Sequence, residues 1–213
     1  MLTVKNSSQR RLPAAERREL ILRAASVVFG ERGYAGTTTD AVADAAGVSQ
    51  AYIVRIFGTK EALFSETANH ALSHIEAVFR DVARPLAPGE SDGGVQERLG
   101  RAYVGLVADR GILLTVMHLF TLGHHPRFGP LARDGILSVY RILRDEVGLS
   151  PEGAEGFLGK GMLINTLLGL RLPDIADSDP DAKELLSCVL SDAADEVTAL
   201  TAEHQPLGPS PRS

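Results

Sequence analysis

Between residues 49 and 60 the chain sets out Ser49, Gln50, Ala51, Tyr52, Arg55 and Lys60, mostly hydrogen-bonding or cationic groups at helical spacing. These types suit recognition better than bond-breaking. A glutamine amide pairs with adenine in the major groove, and an arginine reaches guanine or a phosphate. Ala51 is small enough for close approach, or meets a thymine methyl. Just upstream, Thr38 and Thr39 offer hydroxyl and backbone N–H donors to phosphate oxygens. Lys60 stands at a helix start, where its charge adds to the positive end of the dipole. Catalytic arrangements are missing. The chain has no Gly-x-Ser-x-Gly elbow, phosphate loop, dinucleotide fingerprint or His-Glu-x-x-His pair, so neither enzyme activity nor a cofactor is expected. His118, His124 and His125 lack a carboxylate or cysteine at ligand spacing, and no metal site is expected.

Groups like these need a scaffold that turns them outward. Aromatics are 5% of the chain, tryptophan is absent, and alternating β-branched runs do not occur, whereas helical periodicity recurs. An all-α protein is expected. From about Ala14 to Gly33, Ile21, Ala24, Ala25, Val28 and Phe29 share one helical face, with Arg17, Arg18, Glu31 and Arg32 outside it. Gly33 reads as a stop. Thr37 and Asp40, three residues apart, read as a capping box for a short helix ending at Gly47. Ser49 then caps a third helix through Ile56, and Gly58-Thr59 precede a long helix over about 60–83.

In this layout Gly47 permits the sharp turn and Val48 plugs the angle between the short helices. Val42, Ala46, Ile53 and Phe57 would face the first helix, leaving Gln50, Tyr52 and Arg55 outside. That is a helix-turn-helix at roughly residues 35–57. Further helices are expected near 95–109, 111–122, 130–147, 151–172 and 181–203. The connectors would be 84–94 and 172–181, with a disordered arm at 1–13 and a disordered tail at 204–213.

Charge divides along the chain. Over its 213 residues the formal charge is −5, yet residues 1–60 hold nine Lys/Arg against five Asp/Glu, a surplus of +4. The remainder holds thirteen bases against twenty-two acids, or −9. A basic front on an acidic body suggests that only the front meets a polyanion. The first residues lack an apolar signal core and no apolar run approaches membrane-span length, so a cytoplasmic protein without membrane contact is expected. The single cysteine, Cys188, excludes an intrachain disulfide and reads as a buried thiol.

The stretch from Arg17 to Phe64, RRELILRAASVVFGERGYAGTTTDAVADAAGVSQAYIVRIFGTKEALF, closely resembles the DNA-binding domain of the tetracycline-repressor (TetR) family. The matching pieces are the Arg-rich start, F-x-x-x-G-Y with its threonine cluster, A-x-x-A-G-V-S, and F-G-[ST]-K-E-x-L-F. One departure stands out. Val54 and Ile56 occupy positions where relatives often carry aromatic and histidine residues that touch phosphates, and Tyr52 is expected to take over that contact.

The resemblance implies a three-helix DNA-binding domain over 14–59 and an all-α domain over 60–203 for effector binding and dimerisation. It further implies a homodimer on a pseudo-palindromic operator of double-stranded DNA, commonly a repressor released by a small effector, here apolar or amphipathic. Tyr103, Val107, Met117, Phe120, His124, Tyr140 and Asn165 are the pocket candidates. Phe157 and Met162 of the penultimate helix, with Leu186, Leu190, Ala193 and Val197 of the last, are the dimer candidates. The alternative is a DNA-binding adaptor whose helical body binds a protein. An apolar cavity favours the effector, and an exposed apolar patch over a filled core favours the adaptor.

Overall fold

The computed structural model describes residues 13–85 and 94–190. Residues 1–12 of the expected arm, the tail from 204, most of the 84–94 connector, and the dimer candidates Ala193 and Val197 lie outside the described residues. The described chain is all-α, with no strand. Its helices are α1 (Ala14–Gly36), α2 (Thr39–Ala46), α3 (Gln50–Phe57), α4 (Lys60–Ala83), α5 (Gly94–Ala108), α6 (Arg110–Thr121), α7 (Phe128–Arg141), α8 (Pro151–Gly169) and α9 (Pro180–Leu190). A π-helical turn, Ile142–Glu146, extends α7, and a 3-10 turn, Leu172–Ile175, follows α8.

Helix starts follow from side chains that satisfy the first free N–H groups. Ser49 Oγ accepts from Tyr52 N at 3.3 Å, Thr59 Oγ1 from Ala62 N at 3.1 Å, and Ser150 Oγ from Gly153 N at 3.1 Å. The start of α2 differs from expectation by one residue. Thr38, not Thr37, is the cap, accepting from Ala41 N at 3.1 Å. Thr37 is fully buried, and its hydroxyl faces the Gly33 and Val28 carbonyls at 2.8 and 3.3 Å. Those carbonyls lie where α1 kinks, because Gly33 takes φ 67°, ψ 176° and breaks the regular ladder. The hydroxyl is thus occupied at the kink.

Eight-residue helices do not persist in water, so α2 and α3 depend on what they bury. Ile21, Ala25, Val28 and Phe29 of α1 are fully buried, as are Val42 of α2 and Ile53 of α3. Each large side chain so buried contributes roughly 1.5–3 kcal/mol. Gly47 turns the chain between the two helices at φ 64°, and the Val48 N–H closes back on the Ala43 carbonyl at 3.0 Å.

The other side of α1 packs on α6. Gly30 and Gly111 meet backbone to backbone. A Cβ on Gly111 would lie 3.0 Å from Val27 N and 3.1 Å from Ser26 C, and one on Gly30 would lie 3.0 Å from the Gly111 carbonyl oxygen. Two side chains of α6 bond to α1 beside this crossing. Thr115 Oγ1 donates to the Ser26 carbonyl at 3.0 Å, and His118 Nε2 donates to the Gly30 carbonyl at 3.1 Å. A carbonyl only accepts, so His118 carries a proton on Nε2. Phe29, Tyr34, Phe64 and Phe128 form an edge-on aromatic cluster, with centroids 4.9–5.1 Å apart, that ties α1, α4 and α7 together.

One helix face departs from expectation. Cys188 is exposed rather than buried, because the buried residues of α9 are Ala182, Leu186 and Val189 and position 188 falls off that face. No single helix among the described residues is long and apolar enough to cross a membrane, and α5 and α6 meet at a bend of 92°.

Gly111→Val should cost about 1–3 kcal/mol, because a side chain there has only α1 backbone to push against. The expected reading is a lower urea midpoint at unchanged slope, and an unchanged midpoint would mean that the crossing is looser than described.

Candidate nucleic-acid interface and internal cavities

With Ile53 and Phe57 turned inward, α3 leaves Gln50, Ala51, Val54 and Arg55 exposed and Tyr52 half-buried. Tyr52 lies between two arginines. Arg17 of α1 donates to its hydroxyl at 3.2 Å and sits 5.5 Å from the ring centroid, while Arg55 lies 4.8 Å from that centroid. Each cation over the ring is worth about 0.5–1 kcal/mol at an exposed site. Because the phenol oxygen accepts from Arg17, its own proton is available to an outside acceptor such as a phosphate. Gln50 is tethered too. Its Nε2 donates to Thr39 Oγ1 at 3.3 Å, which leaves one amide hydrogen and Oε1 for a partner. Thr38 and Ser49 are exposed cap residues beside this surface, and Thr39 is half-buried.

Arg17 was not among the sequence candidates. It stands thirty-five positions before Tyr52, and no local spacing links them. Arg18 has a different task, with its guanidinium 4.7 Å from the Phe57 ring centroid and paired with Glu66, pinning the end of α3 to α1 and α4. Beside it, Glu19 bonds to His70 Nε2 at 2.9 Å. That bond, more than the nearby Arg23, holds the Glu19 carboxyl below the usual range.

Lys60 is turned inward rather than toward an outside phosphate. Its Nζ donates to the Thr37 and Ala35 carbonyls at 2.9 and 3.3 Å and lies 4.6 Å from the Tyr34 ring centroid. Because α1 ends at Gly36 with Thr37 as its cap, these carbonyls have no helical partners, and the ammonium supplies donors. Val54 is 43% exposed and Ile56 half-buried, so neither provides a polar contact.

Among the described residues, two neighbouring cavities lie in the body. An inner one of about 60 Å³ lies among α4, α5, α6, α7 and α8, with walls that include Phe79, Tyr103, Phe120, Phe157, Met162 and Asn165. An outer one of about 160 Å³ lies between α5, α8 and α9, bounded by Gln96, Val104, Val107, Lys160, Ile164 and Leu190 among others. Of the pocket candidates, Tyr103, Phe120 and Asn165 line the inner cavity, Tyr103 and Val107 the outer. Met117, His124 and Tyr140 line neither. His124 is exposed, and its neighbour His125 stacks on Phe128 at 4.2 Å within the aromatic cluster. The expected dimer residues that are described also turn inward. Phe157 and Met162 wall the inner cavity, Leu186 is buried in its own chain, and Leu190 is half-buried against the outer cavity. Helical periodicity marks an apolar stripe but does not say whether a partner or the same chain covers it.

Tyr103 organises the cavity wall. Its hydroxyl lies 2.7 Å from the Gly161 carbonyl and 2.8 Å from the Asn165 side-chain oxygen, and burial pushes its pKa well up, so it stays neutral. One hydroxyl proton cannot serve two acceptors. With the Asn165 amide turned over, its NH₂ donates to the phenol oxygen and the phenol donates to Gly161.

Residues 21–67 match the sequence model of the bacterial regulatory proteins of the tetR family. A curated relative, the HTH-type transcriptional activator FasR of Mycolicibacterium smegmatis, is 35% identical over 79 residues, covering 37% of this chain. The match spans 36% of that relative's length. Among solved structures, a TetR-like transcriptional regulator from Rhodococcus sp. RHA1 has TM-score 0.52 at 24% identity, over 91% of this chain and 97% of that one. A second transcriptional regulator from the same organism has TM-score 0.53 at 18% identity, over 87% and 96%. At these identities the likeness establishes the fold, an N-terminal helix-turn-helix followed by a helical body.

Lys60→Met removes the donor from two carbonyls and should cost about 1–2 kcal/mol of stability. A chemical denaturation curve reads this directly, and an unchanged midpoint would return Lys60 to an outward role.

Proposed function

We propose that the whole chain is a DNA-binding transcriptional regulator acting as a homodimer on a pseudo-palindromic operator, because residues 21–67 match the sequence model of the tetR-family regulators. The outer face of α3 carries this reading. Gln50, Ala51 and Arg55 are exposed there, with Tyr52 held between Arg17 and Arg55. In this reading Gln50 and Arg55 meet base edges, and Ala51 lets the helix approach. Tyr52 and Arg17 bond phosphate, while the Thr38, Thr39 and Ser49 region contributes backbone contacts. Lys60 acts indirectly, by fixing the loop before α2.

One short helix reads only a few base pairs, so two copies about one DNA turn apart, or a multiple of it, are needed for a specific site. Leu163 of α8 and Leu185 of α9 are each 42% exposed, Ile175 between them 45% and Leu170 69%. This apolar strip supports dimerisation through α8 and α9, using residues other than those first expected.

The body is proposed to bind a small effector that alters DNA affinity through α6. That helix contributes Leu113, Val116 and Phe120 to the inner cavity and Gly111, Thr115 and His118 to the seam with α1. A ligand that widens the cavity displaces α6, and α1 follows with the reading helix. DNA and effector then oppose each other by linkage. Release of a repressor is the outcome this coupling favours. Activation is the second reading, because the relative from Mycolicibacterium smegmatis is named an activator. A reporter driven by the gene's own upstream region separates them, since deletion of the regulator raises expression in the first case and lowers it in the second.

Replacing Tyr52 and Arg55 together by alanine should abolish specific binding to the upstream region in a gel shift, while circular dichroism and oligomeric state stay unchanged. Normal binding by the double variant would place the reading surface elsewhere. Leu163→Asp with Leu185→Asp should convert dimer to monomer in light scattering and weaken DNA binding at least tenfold. A dimer that persists would exclude the α8–α9 strip.

A further inference from the structure

The two cavities share three wall residues, Tyr103, Phe157 and Gly161. They are therefore adjoining chambers, separated by two aromatic rings whose centroids lie 6.0 Å apart at an interplanar angle of 84°. The partition stands on a glycine for a steric reason. A Cβ on Gly161 would come within 2.9 Å of Tyr103 Cε2, so the phenol ring lies directly on the α8 backbone. The inner chamber is apolar apart from the Tyr103 hydroxyl and the Asn165 amide. On the outer wall, Lys160 and Gln96 are the polar side chains besides Tyr103, and no carboxylate lines either chamber among the described residues. Lys160 makes no ion pair among the described residues.

Size and charge together select a ligand. Pockets for compact drug-like molecules run to roughly 300–1,000 Å³. Neither chamber, at about 60 and 160 Å³, approaches that. A bulky fused-ring compound does not fit two small spaces parted by aromatic rings, whereas a narrow flexible chain can pass once a ring turns aside. At the mouth, a cation would meet Lys160 with no opposing charge on the wall, and an anion would find the ammonium and the Gln96 amide. We propose that the effector is an amphipathic anion with a slender apolar tail. Its head is held by Lys160 in the outer chamber, and its tail passes between Tyr103 and Phe157 toward Asn165. This assignment rests on the effector reading above and adds the ligand's chemical class. Passage requires the Tyr103 or Phe157 ring to rotate, and the inner wall that then moves includes α6.

The test uses the full chain in calorimetric titrations with four probes below their micellar concentrations. These are decanoate, decanol, decyltrimethylammonium and butanoate, each titrated into wild type, Lys160→Gln and Val104→Trp. Decanoate should bind the wild type about fivefold more tightly than decanol, the advantage expected of a partly exposed ion pair. Lys160→Gln should erase that advantage without changing decanol binding. Butanoate should not bind detectably, and Val104→Trp, which fills the outer chamber, should lose both long-chain ligands. Lys160 is exposed, so its variant folds and keeps the comparison valid even where the tryptophan variant does not. Equal binding of decanoate and decanol, preference for the ammonium, an unaltered Lys160→Gln, or no binding at all each refutes the ligand class. The effector reading has its own readout, the affinity for a duplex from the upstream region. Decanoate that binds without changing that affinity refutes the effector reading and leaves the ligand class standing.

Discussion

Helices α1 and α6 cross with Gly30 against Gly111, so closely that a methyl group on Gly111 would abut the α1 backbone. Backbones held this near cannot slide without breaking the contacts beside them, the Thr115 bond to the Ser26 carbonyl and the His118 bond to the Gly30 carbonyl. The constraint matters because of what lies on each side. α1 supplies the buried face on which α2 and α3 are assembled, and α6 supplies part of the inner cavity wall. Close packing transmits small displacements instead of absorbing them. Two helices locked together, one the floor of the front domain and the other a wall of the cavity, join the two halves of the chain.

The proposed reading surface depends on this frame but is set by local bonds. Caps at Thr38, Ser49 and Thr59 start three successive helices, and the Gly47 turn fixes the angle between the first two. Within that geometry Arg17 orients Tyr52, Thr39 orients Gln50, and Lys60 holds the loop where α1 ends. Pre-oriented side chains lose less entropy when they meet a partner. The exposed face is consequently small, polar and cationic, although the chain as a whole is acidic.

Much of this front domain was legible in the sequence, because its signals are local. Val42, Ile53 and Phe57 recur at helical spacing, and glycines and hydroxyls punctuate the helices where physics requires them. What escaped was non-local. Arg17 reaches Tyr52 across two helices, and the Lys60 ammonium turns inward because the end of α1 leaves carbonyls without donors. At the α2 start two neighbouring threonines compete for one cap, and the kink claims the first. The body was less legible. Its stripes at Phe157, Met162 and Leu186 were recognisable as apolar, but periodicity alone does not choose between a cavity, the chain's own core and a partner subunit. Cys188 shows the same limit, since its exposure depends on which face of α9 is covered.

The most direct test of the whole account is equilibrium binding of the full chain to a duplex from its own upstream region, measured against a shuffled duplex over a range of salt concentrations. A saturable complex at two chains per site is expected, at least ~10³-fold tighter on the natural sequence, with affinity falling steeply as salt rises. Equal affinity for both duplexes at every salt concentration would contradict it.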